Sequence, residues 1–250
     1  MPLLTALFDL DGTLTDPFDG IVRSIQFAME KMGRFAPPAE DLRWCIGPPL
    51  WDSFKVLLET DEKGRLDHAV AFYRERYTVT GLFENALIEG IPLALEQLQS
   101  AGIRLHVCTS KPHAYAGKIV EHFGLMPYFG KVHGSELDGT RSAKTELIAH
   151  VLEEEKIAAS RTIMIGDRKH DLAGANANGV AGIGVLWGYG SRDELAAEKP
   201  GPDRRKACRD DFVSSSGSVA SSLTGTRPGL TSRAAFVAWV LLNPRRHFNP

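Results

Sequence analysis

The chain has 250 residues, 43% of them hydrophobic and 24% charged, the make-up of an ordinary globular protein of one large domain or two small ones. Lys and Arg total 29 against 31 Asp and Glu, a net charge of −2, which argues against a protein that coats nucleic acid through a basic surface. Three cysteines, Cys45, Cys108 and Cys208, are too few and too scattered for a disulfide framework or a zinc site, and they fit a reducing, cytoplasmic setting. The opening MPLLTALFDLDGT carries no basic stretch ahead of its apolar run, so it does not read as a signal peptide. The longest apolar run, residues 234–242, is about half the length needed to cross a bilayer. The expectation is a cytoplasmic protein with neither membrane nor nucleic acid as partner; its oligomeric state stays open.

Residues 3–10 form a short apolar run ended by Asp-Gly-Thr, which predicts a buried parallel strand. About seventy residues of helical periodicity follow. Ile21, Ile25, Ala28 and Met32 share one face ahead of a stop at Gly33, Leu50, Phe54, Leu57 and Leu58 repeat the pattern, and so do Leu66, Val70, Tyr73 and Tyr77. These residues predict a small helical bundle.

From Gly90 the rhythm becomes helix-strand alternation. Helices are predicted over 92–102, 113–123, 144–155 and 171–178, and strands over 104–108, 130–134, 162–165 and 180–186. Such alternation implies a parallel sheet covered on both faces. The expected architecture is therefore α/β: a three-layer, Rossmann-like parallel sheet core, residues 1–15 and 86–200, with an all-helical cap, residues 16–85, inserted after the first strand. Beyond residue 200 the pattern breaks. Ser and Thr make up 10 of the 21 residues in 212–232, a composition that buries little and predicts a disordered tail over 201–250.

In open parallel sheets, ligands bind beyond the carboxyl ends of the strands. Those ends carry Asp9-Leu10-Asp11-Gly12-Thr13, then Thr109-Ser110-Lys111, then Gly166-Asp167-Arg168 with Asp171 close behind, and Lys144 opens the helix before the last of them. Carboxylates crowded into one crevice repel each other by about 4 kcal/mol per pair at about 4 Å and an effective dielectric of about 20. A cation among them removes that cost. Hard oxygen ligands and a phosphate ester as substrate select Mg²⁺. With the metal in place an Asp can attack phosphorus, a second carboxylate two residues along can pass the proton, and Lys144 with the Thr109 hydroxyl can hold the equatorial oxygens.

FDLDGT, a strand ending in Thr109-Ser110, the following Lys144 and GDRKHD resemble the four signature motifs of the haloacid dehalogenase-like hydrolase superfamily. The resemblance covers about residues 4–195, helical cap included. It implies that Asp9 is the nucleophile, Asp11 the general acid and base, Thr109 the phosphate-binding hydroxyl, Lys144 the lysine of the third motif and Asp167 a metal acid. The Mg²⁺ ligands implied are Asp9, Asp11 through its backbone carbonyl, and Asp167. Within the superfamily the chain is similar to phosphoglycolate phosphatases and to 5′-nucleotidase-like phosphatases, and IGPPLWDSF, CTSKP, GDRKHD and GVLWGYGS are closer to the second group. The function expected is Mg²⁺-dependent hydrolysis of a small, phosphoglycolate-like ester. The alternatives are a 5′-nucleotidase, a phosphomutase and a non-catalytic binding module of the same fold.

Other residues carry two readings each. Asp171 is a partner of the site or an acid in the first turn of a helix, where acids are favoured. Ser110 touches phosphate through its backbone N–H or shapes the loop. Lys111, Arg168 and Lys169 read as solvated or structural charges, His170 and Cys108 as structural. Trp44, Trp51 and Phe54 read as core, with a pocket lining as the rival, and Gly47-Pro48-Pro49 as a rigid turn. The eight histidines show no HxxxH or HxH grouping, so neither a zinc site nor a histidine nucleophile is expected.

Overall fold

The computed structural model of the chain describes residues 4–198 and the strand 212–214. In chain order the strands are β1 (Thr5–Phe8), β2 (Thr15–Asp16), β3 (Ala86–Leu87), β4 (Arg104–Pro112), β5 (Lys131–Ser135), β6 (Thr162–Gly166), β7 (Ala181–Val185) and β8 (Phe212–Ser214). The main sheet runs β5-β4-β1-β6-β7-β8, parallel except for the antiparallel β8. All four residues of β1 are buried, as expected of a central strand covered on both faces.

Alternation along the strands sorts the core into two layers. Ala6, Phe8, Leu105, Val107, Ile163 and Ile165 pack with α4 (Ile91–Ser100) and α5 (His113–His122). Leu7, Cys108 and Met164 pack on the other face with α6 (Lys144–Glu154) and α7 (Lys169–Ala177). Helices therefore cover both faces of a mostly parallel sheet.

Between β2 and β3 the chain forms the helical cap: α1 (Phe18–Lys31), a 3-10 stretch Ala39–Cys45, α2 (Leu50–Leu58), α3 (Lys63–Arg76) and a π turn, Tyr77–Gly81. The chain leaves and re-enters the core through the β2–β3 ribbon, with Thr15 opposite Leu87. Glu84 fastens this junction, accepting from Arg23 of α1 at 2.9 Å and from Arg76 of α3 at 2.7 Å.

Several boundaries differ from those the sequence predicts. β4 continues past Cys108 to Pro112 because pairing with β5 resumes, after a register shift, at Pro112 and Ser135. α7 begins at Lys169, two residues early, because the Asp171 carboxylate accepts from the backbone N–H of Arg168 at 3.1 Å and closes the first turn. A short helix, α8 (Arg192–Ala197), absent from the predicted elements, is capped by the Ser191 hydroxyl, and Ser191 with Glu194 three residues on is a helix-start pattern. The Ser/Thr-rich tail was expected to be disordered, yet Phe212–Ser214 pairs with Val185–Ile183 as an edge strand, since ladder hydrogen bonds need backbone groups and not apolar side chains. The rest of 201–250 lies outside the described residues. Among the described residues no helix is long and apolar enough to cross a membrane.

Candidate active site

The carboxyl ends of β1, β4 and β6 meet over one crevice. Asp9 follows β1, and its backbone N–H donates to the Ile165 carbonyl at 2.9 Å, so main-chain bonding fixes its place beside β6. Asp167 follows β6 and is fully buried. Carboxylate oxygens of Asp9, Asp167 and Asp171 all lie within 4.8 Å of one another. Lys144, at the start of α6, answers part of that charge. Its Nζ donates to Asp9 Oδ1 at 3.0 Å and to the Cys108 carbonyl at 2.9 Å, and it lies 2.8 Å from Asp171 Oδ1.

The protonation tendencies follow from this crowding. Burial, then the charges of Asp9 and Asp171, push the Asp167 carboxyl well above the usual carboxylate range, despite the hydrogen bond it accepts from Tyr189 N–H. Burial raises Asp171 to about 6, with Lys144 working in the opposite direction. Burial disfavours the Lys144 ammonium, but Asp171 and Asp9 outweigh that and hold it charged. Three buried carboxylates share one ammonium, a geometry that a further cation would complement. The ligand atoms on offer are all carboxylate oxygens, which suits a hard cation. Close backbone approach keeps the space around Asp167 tight: a Cβ on Gly12, whose φ is +79°, or on Gly188 would collide with the Asp167 side chain.

Asp11 faces elsewhere. Its Oδ2 lies 2.7 Å from Lys111 Nζ, and Lys111 in turn donates to the Tyr77 hydroxyl at 2.6 Å. Burial raises the Asp11 carboxyl while Lys111 pulls it down. Thr109 is buried at the end of the paired part of β4, its hydroxyl accepting from Lys111 N–H at 3.3 Å. Ser110 is placed by its own carbonyl, which accepts from the Ser135 hydroxyl at 2.8 Å. Asp9, Asp11, Thr109, Ser110 and Lys111 form the core side of a cavity whose opposite wall comes from the cap: Pro49, Trp51, Arg74 and Tyr77.

The chain is similar to known proteins over most of its length. The description "Haloacid dehalogenase-like hydrolase" matches residues 6–185. A 5′-nucleotidase of Pseudomonas aeruginosa is 53% identical over 194 residues, spanning 78% of this chain and 87% of that protein. The chain belongs to the haloacid dehalogenase-like hydrolases. A predicted phosphatase of Clostridium acetobutylicum superposes with a TM-score of 0.76 at 38% identity, covering 80% of this chain and 92% of the other. The tyrosine-protein kinase PtkA of Mycobacterium tuberculosis is 37% identical over 187 residues, 75% of this chain but 63% of PtkA. This member of the hydrolase family is an enzyme of its phosphatase side.

Of the residues singled out from the sequence, the hydrolase brings Asp9, Lys144, Asp167 and Asp171 into one cluster, with Asp11, Thr109 and Ser110 on the adjoining cavity wall. Both readings of Asp171 hold at once, since it pairs with Lys144 and caps α7. Lys111 is not solvated: its side chain is 6% exposed and ion-paired to Asp11. Arg168 is buried and structural, its Nε donating to Glu194 at 2.9 Å and its Nη1 to the Ile46 carbonyl of the cap. Cys108 is core, its thiol pushed up to about 12 by burial. Phe54 is core, Trp51 lines the cavity, and Trp44 is neither, being 39% exposed. Sequence reasoning missed two contributors. Tyr189 donates its backbone N–H to Asp167 Oδ2 at 2.7 Å, and Tyr77 reaches Lys111 from the cap. GVLWGYGS holds the first of these, but a backbone donor leaves no residue-type signal.

Proposed function

We propose that this hydrolase is a Mg²⁺-dependent phosphomonoesterase that works on a small phosphate ester through an aspartyl-phosphate at Asp9. One observation carries the reading: a lysine-anchored carboxylate stands in a cluster of buried acids, next to a second acid, Asp11, on the same cavity wall. Asp9, Asp167 and the backbone carbonyl of Asp11 would hold the ion. Bound there, Mg²⁺ neutralises carboxylate and phosphate charge so that the two anions can meet.

The chain's own groups account for the rest. An Asp9 oxygen forms a bond to phosphorus, the ester P–O bond breaks, and its electron pair leaves with the alkoxide oxygen, which takes the Asp11 proton. The Asp11 carboxylate then accepts a proton from water as the water oxygen bonds to phosphorus. The Asp9–phosphorus bond breaks, returning the carboxylate and releasing phosphate. A buried acid raised above its ordinary value by burial suits such proton traffic. Lys144 and Thr109 are placed to steady the phosphoryl oxygens. In this scheme residues 1–15 and 86–200 act as the catalytic core and residues 16–85 as its cap.

For the rest of the ester, the cavity favours a nucleoside monophosphate over a phosphoglycolate-like acid. Trp51, Tyr73, Tyr77 and Tyr115 line it, and such rings offer stacking surfaces to a flat base. The P. aeruginosa relative named 5′-nucleotidase supports the same choice. A kinase reading draws only on PtkA, over a third of which lies outside the match.

The test is phosphate release from a panel of nucleoside monophosphates, 2-phosphoglycolate and an aryl phosphate, with Mg²⁺ and with excess chelator. Turnover confined to Mg²⁺ and highest kcat/KM on a nucleotide is expected. Full activity in chelator would overturn the metal reading, and preference for 2-phosphoglycolate would overturn the nucleotide one.

A further inference from the structure

A second cluster of ligating side chains lies away from this crevice. His106 and Cys108 point to the same face of β4, and Cys108 pairs with His133 of the edge strand β5. Both imidazoles thus share the face covered by α6, although 27 positions apart in sequence. Glu155, just past the C-terminal end of α6, reaches them. Since Lys144 opens the same helix, the cluster sits about 16 Å along α6 from the catalytic lysine.

The contacts within the cluster do not pair up as hydrogen bonds. His133 Nδ1 faces Glu154 Oε2 at 3.3 Å, while its Nε2 lies 3.1 Å from Glu155 Oε1. His133 is 4% exposed, and its Nε2 has no hydrogen-bond partner despite that close oxygen. With the ring proton on Nδ1, toward Glu154, the Nε2 lone pair confronts a carboxylate oxygen, an acceptor against an acceptor. That contact is repulsive unless a positive charge lies between them. His106, 3% exposed, brings Nε2 to 4.0 Å from Glu155 Oε2, and its Nδ1 is unpartnered as well.

We propose that His106, His133 and Glu155 bind a borderline divalent cation of the zinc class, with Glu154 orienting His133 from outside. Tetrahedral zinc with bonds of about 2.0–2.2 Å sets its ligand atoms roughly 3.3 Å apart. The His133–Glu155 spacing of 3.1 Å already matches, and the atoms offered by all three residues lie within 4.8 Å of one another. A carboxylate on the far ring nitrogen is the usual support of a metal-bound histidine. Two imidazoles with one carboxylate select zinc, cobalt or nickel over magnesium. An open cavity of about 370 Å³ bordered by His106, Glu155 and Tyr128 gives an entry path and room for a water as fourth ligand. Such an ion would tie the edge strand β5 to the end of α6.

The test uses the whole chain, stripped of metal and returned to excess Mg²⁺ so that the carboxylate cluster is already filled. Co²⁺ is titrated in and its visible ligand-field band recorded, followed by Zn²⁺ competition. One equivalent of Co²⁺ with an intense band typical of nitrogen-containing, four- or five-coordinate cobalt is expected, displaced by Zn²⁺. His133→Gln should abolish the band, and Glu154→Gln, a partly exposed position outside the ligand set, should weaken binding by about 10–100-fold. Mg²⁺-dependent hydrolysis by each variant checks that it is folded. Absence of the band, or a band that survives His133→Gln in an active variant, overturns the proposal. In the first case a proton on His133 holds the cluster; in the second, cobalt has gone to the carboxylates.

Discussion

Lys111 and Asp11 form a buried ion pair, Nζ to Oδ2 at 2.7 Å, and the same ammonium donates to the hydroxyl of Tyr77 in the cap. The pair couples the acid of the second motif position to the closing wall of the cavity. Burial raises Asp11 and Lys111 opposes it, so Lys111→Met should raise the carboxyl further. Less of it is then ionised at a given pH, and the step that needs Asp11 as a base slows first. The acid limb of the kcat profile should move to higher pH, with aspartyl-phosphate accumulating under acid quench. A profile that keeps its acid limb in place would show that Lys111 does not tune Asp11.

Asp9 and Asp11 should fail differently. Asp9→Asn is expected to remove turnover, because an amide cannot form the acyl phosphate. Asp11→Asn should slow the chemistry by about 10²–10⁴, most for alkyl esters, whose leaving oxygen needs the proton. Equal losses on alkyl and nitrophenyl phosphates would remove Asp11 from the role of acid.

The placement of these residues was legible because motif residues sit at strand ends, where alternation of apolar runs places them without any contact information. Asp9, Thr109 and Asp167 are of that kind. Lys111 was not, since a lysine next to a strand end is usually solvated, and only the π turn that brings Tyr77 over it buries it. The His106–His133 pair was equally hidden. It depends on the register between β4 and β5, which no local spacing encodes. The short strand Phe212–Ser214 rests on backbone pairing, to which composition is nearly blind.

Without metal, the acid cluster should weaken the fold as pH rises. Asp171 is held at about 6 against 3.8 when unfolded, and Asp167 is raised further by burial and by Asp9 and Asp171. The native state then binds more protons than the unfolded one, so this contribution to stability is present below 3.8 and is lost as pH climbs towards 6. Mg²⁺ competes with those protons and should restore more stability at pH 7 than at pH 5. Thermal melts of wild type and Asp167→Asn, each with Mg²⁺ or chelator, give the comparison. A Tm difference between them in chelator that does not change with pH would contradict the assignment.

Trp51 is the clearest handle on substrate choice. It lines the cavity from α2, its indole N–H donates to Asp67 at 3.0 Å, and the Arg74 guanidinium lies 5.2 Å from its ring centroid. Loss of one stacking ring costs about 1–3 kcal/mol per base. Trp51→Ala should therefore raise KM for a nucleoside monophosphate by roughly 5–150-fold and leave a small alkyl phosphate nearly unaffected. Equal changes for both would mean that Trp51 shapes the cap and does not contact a base.

The last prediction concerns the sheet edge beyond β7. Every residue proposed to act on phosphate lies at or before Asp171, but Phe212–Ser214 covers the outer edge of Ala181–Val185. Truncation after residue 200 should leave kcat near native, because Asp167 keeps its bonds from Thr13 and Tyr189. It should also uncover the N–H and C=O groups of β7 that now pair with β8, and an open parallel edge invites pairing between copies. The truncated enzyme should be active when dilute and associate as its concentration rises, as read by sedimentation velocity alongside phosphate release. An inactive protein at low concentration would show that the third layer of the core needs the residues after 200. An active one that stays monomeric throughout would show that β8 does not protect the edge.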